Sequence, residues 1–380
     1  MAGVHPEDAP SLLSVIKELA ANHNTVVATD REGYLAQHAD CVLYLGPESG
    51  PNGGRLLETS SLKNPQPLSL SPHTAKKTPG LSVSLSTTAL QIDKLSIPLR
   101  SLSTISGRSG SGKTTLLLEG IYKSGCATLE KDPSLFSEII FLDSHPQSAS
   151  SRSDISTYFD IAPSLRNFFS SLTQAKALNI PSSMFSPNTK QGQCSDCWGL
   201  GYQWIDRAFY AMEKRSCPTC GGFRVQPLVQ EVVYEGKHFG QWLQVSLNEI
   251  AETFPFLKKI QKPLQTLITN GLGYLSLGQN MSSLSLSEKI FVKLTKHVFL
   301  PPKHPTLFLL DEVAASLDNQ QKYTLLSQLN NLVSLGHTVV IVENHPAFSQ
   351  HSDFLIRMEH ETGKAGCRII FSGTNKSSVR

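Results

Sequence analysis

The sequence predicts an α/β fold built on a mainly parallel sheet covered on both faces, with a four-cysteine module inserted into it. Two observations predict the sheet. Helical and strand-like patterns alternate at both ends of the chain, and a glycine-rich loop at 107–114 lies between β-branched runs and a helical one. The third observation concerns cysteine. Of seven, four stand as two Cys-x-x-Cys pairs, while Cys41, Cys126 and Cys367 are scattered. Paired spacing in a cytosolic chain reads as metal binding rather than as a disulfide framework.

Composition narrows the class. At 380 residues the chain has room for two or three domains and a sizeable core. No apolar run reaches the roughly 18–20 residues of a membrane span. The start, Met1 to Asp8, lacks the basic and apolar stretches of a secretory signal. A cytoplasmic protein with no membrane partner is expected. The net charge of +3 permits a nucleic-acid partner without arguing for one.

Leu12, Val15, Ile16 and Leu19 share one helical face, predicting a helix over 11–21. Short apolar runs at Val26–Ala28 and Cys41–Leu45 read as strands, the second ending at the Gly46-Pro47 turn. Residues 60–80, rich in Ser, Pro and Lys, read as a linker. Strand-like runs over 81–106 lead into the glycine loop, and a helix is expected over 113–122. A strand is expected at Ile139–Leu142, followed by a Ser-rich stretch at 148–157. Helical patterns return at 247–270 and 286–298. The end alternates again, with strands at 306–310, 338–342 and 354–358 around a helix at 318–335.

Gly107-Arg108-Ser109-Gly110-Ser111-Gly112-Lys113-Thr114 fits G-x-x-x-x-G-K-[ST] at every position. Glycines let successive backbone N–H groups turn inward as an anion cradle at a helix start. Lys113 reaches the β- and γ-phosphates there, and the Thr114 hydroxyl is placed for Mg²⁺. Thr115 completes the nucleotide-binding set. The bland alternative is a Gly/Ser-rich turn that happens to precede a helix. A phosphate loop also needs an acidic partner on a neighbouring strand. The run Thr306 to Leu310 ends in Asp311-Glu312, so Asp311 is the candidate Mg²⁺ residue and Glu312 the candidate catalytic base.

Cys194-x-x-Cys197 and Cys217-x-x-Cys220 stand nineteen residues apart. Two such turns can present four thiolates at tetrahedral positions around Zn²⁺, with no position left open for catalysis. A redox-active pair is the first alternative, though it needs only one pair; chance clustering is the second.

The order of these pieces carries a resemblance. The cysteine module lies between the phosphate loop and the Asp-Glu strand. Gly271-Leu272-Gly273-Tyr274-Leu275-Ser276-Leu277-Gly278-Gln279 follows it, and then Leu284-Ser285-Leu286-Ser287-Glu288. From about Leu99 to Met358 the chain resembles the second ATPase half of the UvrA family, the ABC-type ATPases that recognise DNA damage in the bacterial excinuclease ABC system. The resemblance implies an ABC-type ATPase fold with a helical signature subdomain and an inserted C4 zinc module. It implies ATP, Mg²⁺ and Zn²⁺ as cofactors. Damaged duplex DNA, other excinuclease subunits and a second ABC half or homodimer partner are the implied partners.

Site roles follow by position. The resemblance places the signature at Leu284, Ser285, Ser287 and Glu288, and the switch at Asn344 or His345. It also divides the chain: 1–59 as the tail of a first ATPase half, 60–80 as linker, 81–147 as the phosphate-loop part of the second half, 148–283 as an insertion region holding the zinc module 194–220, and 284–380 as signature, acidic strand and switch. Five positions depart from the family pattern. Leu286 and Ser287 replace two signature glycines, Asn344 stands at the switch histidine with His345 beside it, Ser144 replaces a glutamine, and Arg31 stands at the first half's switch position. Two functions are therefore carried forward: ATP-dependent damage recognition in nucleotide excision repair, and a degenerate ABC module that binds nucleotide and DNA without efficient hydrolysis. A transporter ATPase is disfavoured by the zinc insertion.

Overall fold

The computed structural model describes residues 9–30, 33–46, 53–57, 80–88, 90–144, 153–207, 210–300, 302–360 and 366–374. Residues 60–79 of the expected linker, Arg31 and residues 1–8 lie outside them. In chain order the main strands are β1 (Gly80–Ser86), β2 (Gln91–Pro98), β3 (Leu102–Gly107), β4 (Glu138–Asp143), β5 (Tyr202–Arg207) and β6 (Tyr210–Ser216). They continue with β7 (Thr306–Asp311), β8 (Thr338–Val342), β9 (Phe354–His360) and β10 (Cys367–Thr374). The helices used below are α1 (Ala9–Ala21), α2 (residues 113–131), α3 (Ile155–Tyr158), α4 (Leu286–Leu294), α5 (Asn319–Ser334) and α6 (Pro346–His351).

The described chain divides into two compact units. The first, residues 1–44, 56–145 and 297–380, holds a six-stranded sheet in the order β10-β9-β3-β8-β7-β4. All neighbours are parallel except the antiparallel edge pair β9–β10. Every residue of β7 and β8 is buried. That explains why both read as unbroken apolar runs: a central parallel strand is covered on both faces. Leu307, Leu309, Val340, Val342 and Ile356 share one core with Leu116, Leu117 and Ile121 of α2 and with the β1–β2 hairpin. Helix α5 lies against β8 and β3, and its buried Leu325, Leu326, Leu329 and Leu332 recur at helical spacing.

The helix after the loop is longer than expected. It runs through residues 113–131 and contains a π-type stretch over Leu116–Tyr122. The strand expected at Val26–Ala28 does not form; those residues carry no ladder pairing, and Val27 is 90% exposed. The expected run at Cys41–Leu45 reduces to Tyr44–Gly46.

The second unit comprises residues 45–55 and 146–296. Its core is aromatic: Phe169 meets Phe185 and Phe239 at ring distances of 5.9 and 5.4 Å, and Trp242 meets Phe254 at 5.0 Å. The β5–β6 hairpin springs from the cysteine module, with Trp204 opposite Lys214 in its register. The helical pattern expected over 247–270 is two helices, Leu247–Thr253 and Lys258–Leu267, broken at Phe254 to Leu257.

Candidate nucleotide site and four-cysteine centre

The loop after β3 turns sharply into α2. Gly112 takes φ +80°, which side chains rarely adopt, and a Cβ at Gly107 would stand 2.3 Å from the Met358 carbonyl oxygen. Lys113 is buried and donates to the carbonyl oxygens of Gly107 and Arg108 at 2.8 and 3.0 Å. Arg108, Ser109 and Gly110 are exposed, whereas the Ser111 hydroxyl is buried without a hydrogen-bond partner. Thr115 is half-buried in the first turn of α2.

Strand β7 sits two places from β3 in the sheet, and its end brings the carboxylates to the loop. The Thr114 hydroxyl donates to Asp311 Oδ2 at 3.0 Å, and Lys113 Nζ lies 3.7 Å from Glu312 Oε1. Asp311 Oδ1 is buried and has no hydrogen-bond partner. Burial raises the Asp311 carboxyl above its ordinary value; the Thr114 bond opposes this, and Glu312 and Asp143 reinforce it. An orphaned oxygen on a carboxylate that resists ionisation suits a divalent cation shared with Thr114, as Mg²⁺ would be. Glu312 takes φ +51°, outside the usual region for a side chain, and its N–H donates to the Val342 carbonyl oxygen at 3.1 Å. Ser144, at the position expected to hold glutamine, donates its N–H to the Asp311 carbonyl oxygen at 3.1 Å.

Two neighbours of the loop were not legible in the sequence. Met358 ends its approach at Gly107, and Cys367 on β10 donates from Sγ to the Gly110 carbonyl oxygen at 3.4 Å. Both come from strands β9 and β10, distant in sequence, and no local motif announces them.

The four cysteines converge in the second unit. Their sulfurs all lie within 4.8 Å of one another, and each cysteine is buried. Cys194 and Cys217 approach to 3.8 Å, Cys197 and Cys220 to 3.7 Å. Burial pushes the Cys220 thiol up to about 12 and raises that of Cys197. Cys217 is also raised by burial, but the amides of Cys220 and Thr219 outweigh this and bring it down. Thiolates at such a site need a cation to hold their charge, and four sulfurs in this spacing fit Zn²⁺. Gly199 serves the fold of the knuckle: it takes φ +79°, and a Cβ there would meet the Pro187 carbonyl oxygen at 2.1 Å. Cys41 and Cys126 lie elsewhere and take no part.

No family model matches the chain. Curated relatives do. The UvrABC system protein A of Chlamydia muridarum is 81% identical over 377 residues, which is 99% of this chain and 21% of the relative. That of Chlamydia trachomatis is 76% identical over 375 residues, 99% of this chain and 21% of the relative. The chain belongs to the UvrABC system protein A family. It spans about a fifth of the length of these relatives. The match extends to the UvrABC system protein A of Helicobacter pylori J99, 30% identical over 98% of this chain and 43% of the relative. Among solved structures, UvrA2 from Deinococcus radiodurans superposes with a TM-score of 0.86 at 27% identity, covering 98% of this chain and 48% of that one.

In this member of the UvrABC system protein A family, the segment expected to be the signature opens α4. Leu284 is buried, while the Ser285 hydroxyl caps the helix by accepting from the Glu288 N–H at 3.3 Å. Glu288 closes the box by accepting the Ser285 N–H at 2.7 Å, and Tyr274 donates to its other oxygen. Leu286, where the family has glycine, is 47% exposed, and Ser287 is half-buried. At the switch the two candidates separate. Asn344 Oδ1 accepts the Gly107 N–H at 3.1 Å, whereas His345 caps α6 through Nδ1, accepting from Ala347 N–H at 3.3 Å. The shift by one residue that would bring the histidine to the loop is absent. No described helix is long and apolar enough to cross a membrane.

Proposed function

We propose that this chain is an ATP-binding half of a UvrA-type ABC ATPase, acting in nucleotide excision repair by coupling ATP turnover to the binding of damaged duplex DNA. The observation that carries the reading is the Thr114–Asp311 hydrogen bond, which joins the phosphate loop to an acidic strand end. Residues 107–115 bind the triphosphate, with Lys113 swinging from the loop carbonyls to the β- and γ-phosphates. Thr114 and Asp311 hold Mg²⁺, which supplies charge neutralisation at the phosphates when bound. Glu312 takes a proton from the attacking water, and Asn344 holds the Gly107 end of the loop. Cys194, Cys197, Cys217 and Cys220 hold a structural zinc.

DNA, the other excinuclease subunits and a second ABC half are the partners in this reading, and the cytoplasm is its location. The chain carries one phosphate loop and one signature of the same half. In ABC ATPases each loop works against the signature of another half, so turnover by the isolated chain is expected to be very slow.

The test is binding of a fluorescent ATP analogue with Mg²⁺, alongside phosphate release. Lys113→Ala should weaken binding at least about tenfold, since a buried charge-assisted contact is removed. Glu312→Gln should bind as wild type and hydrolyse more slowly than it. The second reading, a degenerate module without efficient hydrolysis, is favoured by Leu286 and Asn344. Equal rates for wild type and Glu312→Gln would select it, and absence of Mg²⁺-dependent binding would remove both readings.

A further inference from the structure

Arg224 lies just after the second cysteine pair, and its backbone takes φ +72°. The neighbouring Gly221 and Gly222 meet similar demands without a side chain. An arginine at such a position points to work done by the side chain. Its Nε donates to the Gly199 carbonyl oxygen at 2.9 Å, on the turn that follows the first cysteine pair. Its guanidinium also donates to Asp154 Oδ2 at 2.9 Å, and its carbonyl oxygen accepts the Cys194 N–H at 3.0 Å. One residue thus grips both knuckles and one carboxylate.

Asp154 is 1% exposed. Its other oxygen accepts the Thr157 N–H at 3.0 Å and the Ser156 hydroxyl at 2.7 Å, capping α3. The backbone around it is laced to the segment that leads into α4. Ile155 N–H donates to the Gln279 carbonyl oxygen at 3.2 Å, Ser156 N–H to that of Leu277 at 2.9 Å, and Met281 N–H to that of Ser153 at 3.0 Å. Asn280 then caps the turn Met281–Ser283, two residues before the Ser285 cap.

We propose that Arg224 and Asp154 form a strut through which the metal state of the four-cysteine module positions the start of α4, making the signature segment responsive to that module. The assignment of Ser285–Glu288 as signature rests on the function proposed above. The strut itself is a property of the second unit and stands apart from it. A buried carboxylate fixes its partner strongly, because leaving either charge alone inside the protein is costly. Burial lowers the half-buried Arg166 guanidinium, and the charge of Asp154 acts against that.

The experiment is amide hydrogen exchange by mass spectrometry on the 380-residue chain, zinc-loaded and chelator-stripped, with zinc content measured in parallel. In wild type, stripping zinc should speed exchange over residues 277–288 by about tenfold or more, by releasing the Met281 and Glu288 amides. In Arg224→Gln that segment should exchange fast even with zinc bound, and stripping should then change it less than about twofold. Residues 258–267, a helix of the same unit with no bond to the strut, should exchange as in wild type; a general loosening would move them too.

Asp154→Asn serves if Arg224→Gln fails to hold zinc, because asparagine keeps the cap on α3 while removing the charge. Wild-type exchange over 277–288 in both zinc-loaded variants, or an equal response to stripping in all three proteins, would overturn the proposal. Binding of the ATP analogue is recorded on the same samples. Its absence would sink the nucleotide reading and leave the strut intact.

Discussion

Glu343 follows the last residue of β8 and is buried; Oε1 accepts the N–H groups of Asn344 and His345 at 2.9 and 3.2 Å, while Oε2 has no hydrogen-bond partner. Burial raises its carboxyl above the ordinary value; the His345 amide and Lys322 oppose this, and Glu312 adds to it. A carboxyl whose folded pKa lies above its unfolded one stabilises the fold fully below the unfolded value. That contribution is lost as pH rises through the folded value. Glu343→Gln removes the titration and keeps an oxygen for the two amides. Its Tm relative to wild type should therefore be higher at pH 8 than at pH 5. A difference that does not change with pH would mean the carboxylate is already ionised at both. The same region shows what single residues disclose. Asn344-His345 reads in sequence as a pair either of which could face the loop. Only the capping of α6 by His345 separates them, and capping depends on where the backbone leaves the strand.

The Ser285–Glu288 capping box belongs to the scale of the element. Ser285→Ala removes the acceptor for the Glu288 N–H and should destabilise the second unit by about 1 kcal/mol. Chemical denaturation followed at Trp242, which is buried in that unit, would read it. Glu288 is raised by burial, but its bonds from Tyr274 and Ser285 win and hold it below the ordinary carboxylate value. Its contribution is thus present above the unfolded pKa and fades as pH falls through the folded one. The loss in Ser285→Ala should accordingly shrink in acid.

Elements whose pattern is local were legible: β7 and β8 as apolar runs, and α5 as the helix expected over 318–335. The β5–β6 hairpin was not. Described residues on both its strands are exposed, among them Trp204, Met212 and Lys214, so it shows no inward–outward alternation to detect. Strand β10 escaped for a related reason. It is an antiparallel edge strand with half-exposed alternation, beyond the last expected element.

At the scale of the molecule, the described residues between 9 and 57 leave several large apolar side chains exposed. Leu12, Val15 and Leu19 of α1 are exposed, as are Leu43, Leu45 and Leu56. A segment this short cannot bury a core of its own. The Val26–Ala28 run shows the cost: its sequence suits a strand, but a strand needs a neighbour to pair its backbone, and among the described residues none stands there. We propose that these residues belong to a first ATPase half, as the resemblance implies, and that a second copy of the chain covers their apolar side chains. The isolated chain should then associate through them.

Sedimentation over about a hundredfold range of concentration should show the wild-type weight-average mass rising. Leu12→Glu combined with Val15→Glu should flatten that rise and leave the melting of the sheet unit unchanged. If association also brings phosphate loops to signatures, ATP turnover per chain should climb with concentration in wild type and stay flat in the double variant. A constant mass in wild type, with turnover independent of concentration, would mean that these apolar side chains are tolerated in water and that the nucleotide site works within one chain.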